Sequence, residues 1–317
     1  MPQEPEEDPM ISAILALALA QEGLTPTDVH EFGAFSASLR MELADGRGEF
    51  TGTGVDLDVD LAQYRLILAG AVGLGMGFEV EASIPYQIDG EVETDGTFLG
   101  APADTEQESL GFGDLQLGLV YRLLKEDATG PQLIVGALIV APTGNDADGR
   151  ADGNLGAIAL DGEEGGIGDG VWKYGVGAGV SKRLGGVEPY LVAAYVFGGD
   201  RSHDGVDEER ADVGTISLGA ELHVTEQATI DLRVTGQFVG EDVQEDQGVE
   251  EAAERHFDHS YAAALYIDLG PGLTLVAGAA LGFVGDHETD KATGAELEDT
   301  MIYSFQLGLH FNFGGGN

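Results

Sequence analysis

Apolar and polar positions alternate with a period of two in run after run along this chain, through to its last strand-like segment. In Met301–Phe313 the odd positions are Met301, Tyr303, Phe305, Leu307, Leu309, Phe311 and Phe313. The even ones are Ile302, Ser304, Gln306, Gly308, His310 and Asn312. Successive side chains of a strand point to opposite faces, so one face is apolar and aromatic and the other mostly small and polar. A tilted strand crosses a bilayer in about 9–11 residues, and this run is long enough. The pattern predicts an all-β fold, a transmembrane antiparallel β-barrel.

Twelve such runs are legible, at residues 30–43, 55–71, 78–88, 113–124, 131–142, 170–183, 188–198, 212–224, 228–240, 257–269, 273–285 and 300–313. Turn residues separate them. The connections alternate in length. Those at Gly73–Gly77, Lys125–Gly130, Gly185-Gly186, Thr225–Gln227 and Gly270–Gly272 are short. Those at Ala44–Gly54, Asp89–Phe112, Thr143–Asp169, Gly199–Ala211, Glu241–His256 and Asp286–Asp299 are long. Short turns at one end and long loops at the other are the habit of outer-membrane barrels. An even strand count then puts both termini on the short-turn, periplasmic side and the long loops outside the cell.

The lipid-facing side can be followed from strand to strand. Leu39 and Met41, Leu117 and Leu119, Tyr174 and Val176, and Ile216 and Leu218 mark it on four of them. Aromatics gather at run ends (Tyr64, Phe78, Tyr86, Tyr121, Trp172, Phe238, Tyr261, Phe283, Tyr303, Phe313), as interfacial girdles do. In the second run the parity slips between Leu61 and Tyr64, which predicts a bulge there. The fifth and seventh runs are apolar on both faces and give no phase.

Composition narrows the class. No segment reaches the ~18 apolar residues of a spanning helix, whereas a barrel spreads its apolar residues over alternate positions. There are 50 glycines, 10 prolines and no cysteine, which suits a Gram-negative envelope protein. A formal net charge of −43 argues against nucleic acid as a partner, since phosphate binding needs basic surface. Near the N-terminus, Met10–Ala20 is a short apolar stretch ending in Ala18-Leu19-Ala20, an A-x-A cleavage signal. Residues 1–20 therefore read as a signal peptide. Its acidic start (Glu4, Glu6, Glu7, Asp8) suggests that Met10 is the true initiator and Met1–Pro9 an extension. Residues 21–317 form the barrel.

Charged residues at inward positions predict a lumen network. The bases are Arg40, Arg65, Arg122, Lys173, Arg183 and Arg233; the acids are Glu42, Glu79, Glu81, Asp114, Glu221, Asp231 and Asp268. Desolvated charges inside a barrel must pair, and Arg40, Arg65, Arg122 and Arg233 are expected to pair with Glu79, Glu81, Asp114 and Asp231. Most of the remaining acid lies in the long loops, where loose bridging by calcium or magnesium is expected and no other cofactor is. Asp146, Asp148 and Asp152 alternate before and after Gly149 and form a candidate metal site; full EF-hand spacing is missing and Arg150 intrudes. Enzyme motifs are absent, with no H-E-x-x-H, G-x-S-x-G or phosphate-binding loop. Inward His223 and His310 share strand faces with Ser217 and Ser304, but a membrane phospholipase would need such groups at the lipid surface. No catalytic role is expected.

Three segments carry a family resemblance: Tyr64–Tyr86, Gly111–Leu124 (GFGDLQLGLVYRLL) and Pro131–Gly144 (PQLIVGALIVAPTG). They resemble the outer-membrane barrel family associated with phenol meta-pathway degradation, whose members are called transporters. Val120 stands where that pattern often has Lys before the Tyr-Arg pair, and the loops here are more acidic. The resemblance implies a barrel that admits hydrophobic or aromatic compounds. The expected function is a passive channel or porin-like transporter for small molecules. Its expected partners are the lipid bilayer, lipopolysaccharide, the barrel-assembly machinery and a small-molecule solute. A barrel with a closed lumen and cation-binding acidic loops is the alternative, and a secreted β-sandwich a third.

Overall fold

The computed structural model describes residues 29–98, 100–144, 150–155, 158–162, 171–203, 206–246, 249–253, 255–290 and 295–314. Twelve strands build the barrel: β1 (Phe35–Gly52), β2 (Val55–Gly75), β3 (Phe78–Phe98), β4 (Leu115–Leu124), β5 (Gln132–Ala141) and β6 (Lys173–Ser181), then β7 (Val187–Phe197), β8 (Val213–His223), β9 (Ala228–Val239), β10 (His256–Gly270), β11 (Leu273–Phe283) and β12 (Ala295–Phe313). Each pairs antiparallel with the next, and β12 returns to β1 from Phe35↔Phe313 to Thr51↔Glu296. The sheet is closed, so every expected run is a strand and a two-sheet sandwich is excluded. Expected signal residues 1–20 lie outside the described residues.

The barrel is apolar outside and polar inside. Leu39, Leu68, Leu119, Val176, Leu218 and Phe305 are exposed, while Ser36, Arg65, Glu79, Gln116, Glu188, Ser217 and Asp231 are buried. That inversion of a soluble core is what lipid as outer solvent demands. Closure also satisfies the backbone groups that lipid cannot. The two ambiguous strands take a phase: Ile139 of β5 and Leu191 of β7 face out, Val140 and Tyr190 in. Stacked pairs Phe35–Phe313 and Phe78–Tyr121 ring the short-turn end. Tyr86–Phe112, Tyr195–Phe197 and Tyr261–Phe283 ring the other. At Gly75-Met76-Gly77 all three residues have positive φ (85°, 55° and 85°), so glycine on either side lets the chain reverse within one tight turn.

Four strands are about twice as long as a bilayer requires: β1, β2, β3 and β12 have 18, 21, 21 and 19 residues. The expected bulge in β2 is absent, because β1 and β2 stay in register from Phe35↔Val72 to Gly52↔Val55. Odd residues of β2 point inward throughout. What changes is the outer solvent. Near the middle, exposed Tyr64 and Leu68 alternate with buried Gln63 and Arg65. Further out, exposed Asp56, Asp58 and Asp60 alternate with buried Val55, Leu57, Val59 and Leu61. Lipid selects apolar residues on the outer face and water selects acids there, so the polarity pattern switches faces without any slip of the strand. The register irregularity lies opposite, in β3, where Tyr64↔Asp89 is followed by Arg65↔Gln87 and Ile88 is left over.

These extensions correct a second expectation. Much of Ala44–Gly54 and Asp89–Phe112 is paired strand rather than loop. The second folds as the outer half of β3 against Ala101–Phe112, with Arg150–Leu155 and Ile158–Gly162 added beyond it. Asp200–His203, Val206–Glu209, Asp242–Asp246 and Val249–Ala253 form a separate four-stranded sheet. Acids fall opposite acids here: Asp60↔Glu93↔Glu106 and Asp58↔Asp95↔Asp104. Like charges in register repel, and the carboxyl of Glu93 beside Glu91 pushes the Glu91 pKa up.

Candidate functional site

Inside the short-turn half of the barrel lies a cavity of about 610 Å³. Small inward residues (Gly118, Ala262, Ala264, Ala280) make room for it, and Arg40, Glu81, Gln116, Glu221, Asp231, Arg233 and Gln306 give it a polar wall. The segment before β1 forms part of the lining through Val29, His30, Glu31 and Ala34. It is held in place by Gly33 N–H donating to the Gly73 carbonyl and Gly73 N–H to that of Ala34 (3.0 and 2.9 Å). His30 N–H donates to the buried Glu79 carboxylate, and the His30 ring lies against the same oxygen. Glu31 reaches Arg122 and Lys125 at 3.4 and 3.5 Å. Lys125, then Arg122, hold its carboxyl below the usual range.

Arg40, Arg65, Glu79, Glu81, Asp114, Arg122, Lys173, Glu221, Asp231 and Arg233 are all buried or half-buried. The pairing agrees only in part with that expected. Arg233 and Asp231 do pair, at 2.9 Å. Arg65 pairs instead with Glu42, its cross-strand neighbour, at 3.3 Å. Arg122 pairs with Glu31 and Glu79 with His30, partners supplied by a segment ahead of the barrel. Asp114 serves the wall: its carboxylate accepts the Gly144 N–H at 2.9 Å. Arg183 and Asp268 are exposed residues beside the short turns, not lumen ones. Asp146 and Asp148 lie outside the described residues, and Asp152 sits on Arg150–Leu155 opposite Glu106 and Asp161.

One network crosses three strands. Tyr190 of β7 passes over Gly219 of β8, where any Cβ would collide with its phenol ring, and reaches β9. Its hydroxyl donates to Asp231 Oδ1 at 2.7 Å and accepts from Arg233 Nε at 2.8 Å. The alternation rule could not reveal this, because the bridge depends on a glycine in the intervening strand. The serine–histidine pairs do not form a catalytic unit: Ser217 hydrogen-bonds Thr235 at 2.9 Å, and the His223 ring bonds Thr229 at 3.1 Å.

The long-loop end carries apolar packing. Ala44, Val59, Leu61, Val92, Val284, Leu297 and Ile302 form one buried cluster inside the extended strands. Beside it the His256 and His287 rings stack 3.9 Å apart, and a fully buried Asp258 accepts the Gly285 N–H at 2.9 Å. His287, beyond the end of β11, donates from Nδ1 to the Gly285 carbonyl at 2.8 Å. Burial, then the neighbouring His256, push the His287 pKa down, against the pull of that carbonyl and of Asp258 and Asp286. A histidine depressed in the folded state binds its proton first in the unfolded one. Its contribution is intact above the ordinary value of about 6.5 and is lost as pH falls through and below it. The His287 contribution to protease resistance of this end should therefore drop between pH 7 and 5. It is opposed by Asp258, whose carboxyl is pushed by burial up to about 6 and gains stability as it protonates. His287→Gln should remove the His287 part of that dependence. An unchanged profile in the variant would refute the assignment.

No known family profile matches the chain, and no curated relative does. Solved structures do match in fold. An outer-membrane channel from Pseudomonas putida F1 has a TM-score of 0.60 at 15% identity, covering 92% of this chain and 99% of that one. The transport unit of the autotransporter AIDA-I from Escherichia coli has a TM-score of 0.55 at 12% identity, covering 97% and 100%. The translocator domain of the autotransporter NalP from Neisseria meningitidis has 0.50 at 11%, covering 96% and 97%. At such identities the likeness concerns the fold: this chain is a β-barrel of the outer-membrane type.

Proposed function

We propose that the protein is a passive channel for small molecules in a Gram-negative outer membrane, with its termini periplasmic and its long connections outside. The observation that carries the reading is the cavity of about 610 Å³ kept open inside the wall by small inward residues. A lumen serving structure alone gains nothing from such a space, since a void forfeits packing. A hydrophobic or aromatic solute suits the apolar cluster at the outer end, as the resemblance of the three sequence segments also implies. The segment at residues 29–34 lies across the inner end and acts as a plug.

Planar-bilayer recording tests this on the full chain. The wild type should show small discrete conductance steps. Gly73→Val should enlarge them, because a side chain there collides with the carbonyls of His30 and Glu31 and evicts the plug. Arg65→Ala leaves Glu42 uncompensated and should shift the reversal potential toward cations. Silence from both the wild type and Gly73→Val, with the heat-modifiable gel shift of a folded barrel retained, would favour a closed structural barrel over a channel.

A further inference from the structure

The lumen wall carries a ligand set that neither the channel nor the plug uses. Glu188 of β7 and Glu221 of β8 lie directly opposite in the register, and His223 follows on the same face two residues after Glu221. One ligand atom from each of the three falls within 4.8 Å of the others. His223 Nε2 is 3.8 Å from Glu188 Oε2 and 3.9 Å from Glu221 Oε2, too long for hydrogen bonds. Two like charges facing across a strand pair repel, yet both carboxylates are more than nine-tenths buried. Among the described residues Glu188 has no hydrogen-bond partner, and its one ionic neighbour is the His223 ring. Nε2 of that ring is itself buried without a hydrogen bond.

The other ring nitrogen is engaged. Nδ1 lies 3.1 Å from Thr229 Oγ1, the residue paired with His223 across β8 and β9. A proton on Nδ1, donated to that hydroxyl, leaves the lone pair of Nε2 aimed between the carboxylates. A hydrogen bond from the far nitrogen is what orients a metal-ligating histidine. Tetrahedral zinc, with bonds of about 2.0–2.2 Å, sets its ligands roughly 3.3–3.6 Å apart, so the two histidine–carboxylate separations need to close by only a few tenths of an ångström, and the carboxylates start within 4.8 Å of each other.

The geometry points to a divalent transition-metal site, of the zinc class, formed by Glu188, Glu221 and His223. One imidazole and two carboxylates select a borderline cation over soft ones, and no cysteine competes. Three protein ligands leave a fourth position, and Glu221 and His223 both line the cavity, so water or a solute oxygen can complete the shell. The site joins β7 to β8 just inside the short turns. It does not depend on conduction, since a closed barrel would bind the metal equally well.

Cobalt and zinc titrations of the detergent-solubilised full chain test it. Co²⁺ should give the intense visible d–d absorption of a four-coordinate nitrogen–oxygen site at one equivalent, reversed by one equivalent of Zn²⁺. The exposed acidic strands can give only the weak bands of six-coordinate oxygen sites. Glu188→Gln and His223→Asn should each abolish the intense band and weaken tight Zn²⁺ binding at least 100-fold. Both variants should keep the gel shift of a folded barrel, and a variant that loses it is replaced by Thr229→Val, which should weaken binding about 10-fold or more. Absence of the band in the wild type, or its survival in folded Glu188→Gln and His223→Asn, would overturn the proposal.

Discussion

Replacing Asp231 by Ala should be among the most damaging single changes in the wall, costing about 3–5 kcal/mol of stability. Asp231 and Arg233 are nearly inaccessible and 2.9 Å apart, with Tyr190 bonded to both. Removing the carboxylate leaves a guanidinium with its main counter-charge gone in a desolvated position, and a phenol without its acceptor. The loss should appear as a lower urea midpoint for the barrel folded in lipid vesicles. Gly219→Ala should reproduce much of it without touching a charge, because a Cβ there displaces the Tyr190 ring that bridges the strands. Replacing the pair together, as Asp231→Leu with Arg233→Met, should cost far less than Asp231→Ala, since no charge is then orphaned. An unshifted midpoint in Asp231→Ala would show that the pair is hydrated and of little energetic weight.

The barrel was legible because lipid on one side and lumen on the other impose a strict two-residue code. Met301–Phe313 obeys it throughout, and the twelve strands followed from it. The code misled where its premise lapsed. Outside the bilayer the outer solvent becomes water, so in Val55–Leu61 the buried face is the apolar one, and an unbroken strand read as a slipped one. Most of the charges read as inward are buried or half-buried, whereas Arg183 and Asp268, at the ends of their runs, are exposed. Of the partners of the inward charges, Asp231 with Arg233 was foreseen and others were not, because phase fixes which way a side chain points and not which neighbour it meets. Glu42 with Arg65 needs the β1–β2 register, and Glu79 with His30 needs residues 30–34, read as the start of the first run, to lie ahead of β1 instead. The Glu188–Glu221–His223 trio needs both: the register sets Glu188 opposite Glu221, and β7 had no readable phase because its outer and inner faces are both apolar in sequence.

Leu218→Arg tests the membrane itself. Leu218 stands in the middle of β8 with Leu191 and Val234 as its register partners on either side, and all three are exposed on the outer face. In water such a patch would be a liability, and arginine there would cost nothing or help. In a bilayer, arginine near the midplane should cost roughly 2–4 kcal/mol and depress assembly, with the cost falling toward the girdles. Leu117→Arg, on the same face of β4, should behave alike. Gln116→Arg, one residue away and lining the cavity beside Ser83, meets water and polar groups instead and should be the milder change. Folding free energies in phospholipid vesicles, with the unboiled gel shift as a check on closure, separate the two faces. Equal responses at Leu117 and Gln116 would mean that the outer face does not meet lipid, whatever the shape of the barrel.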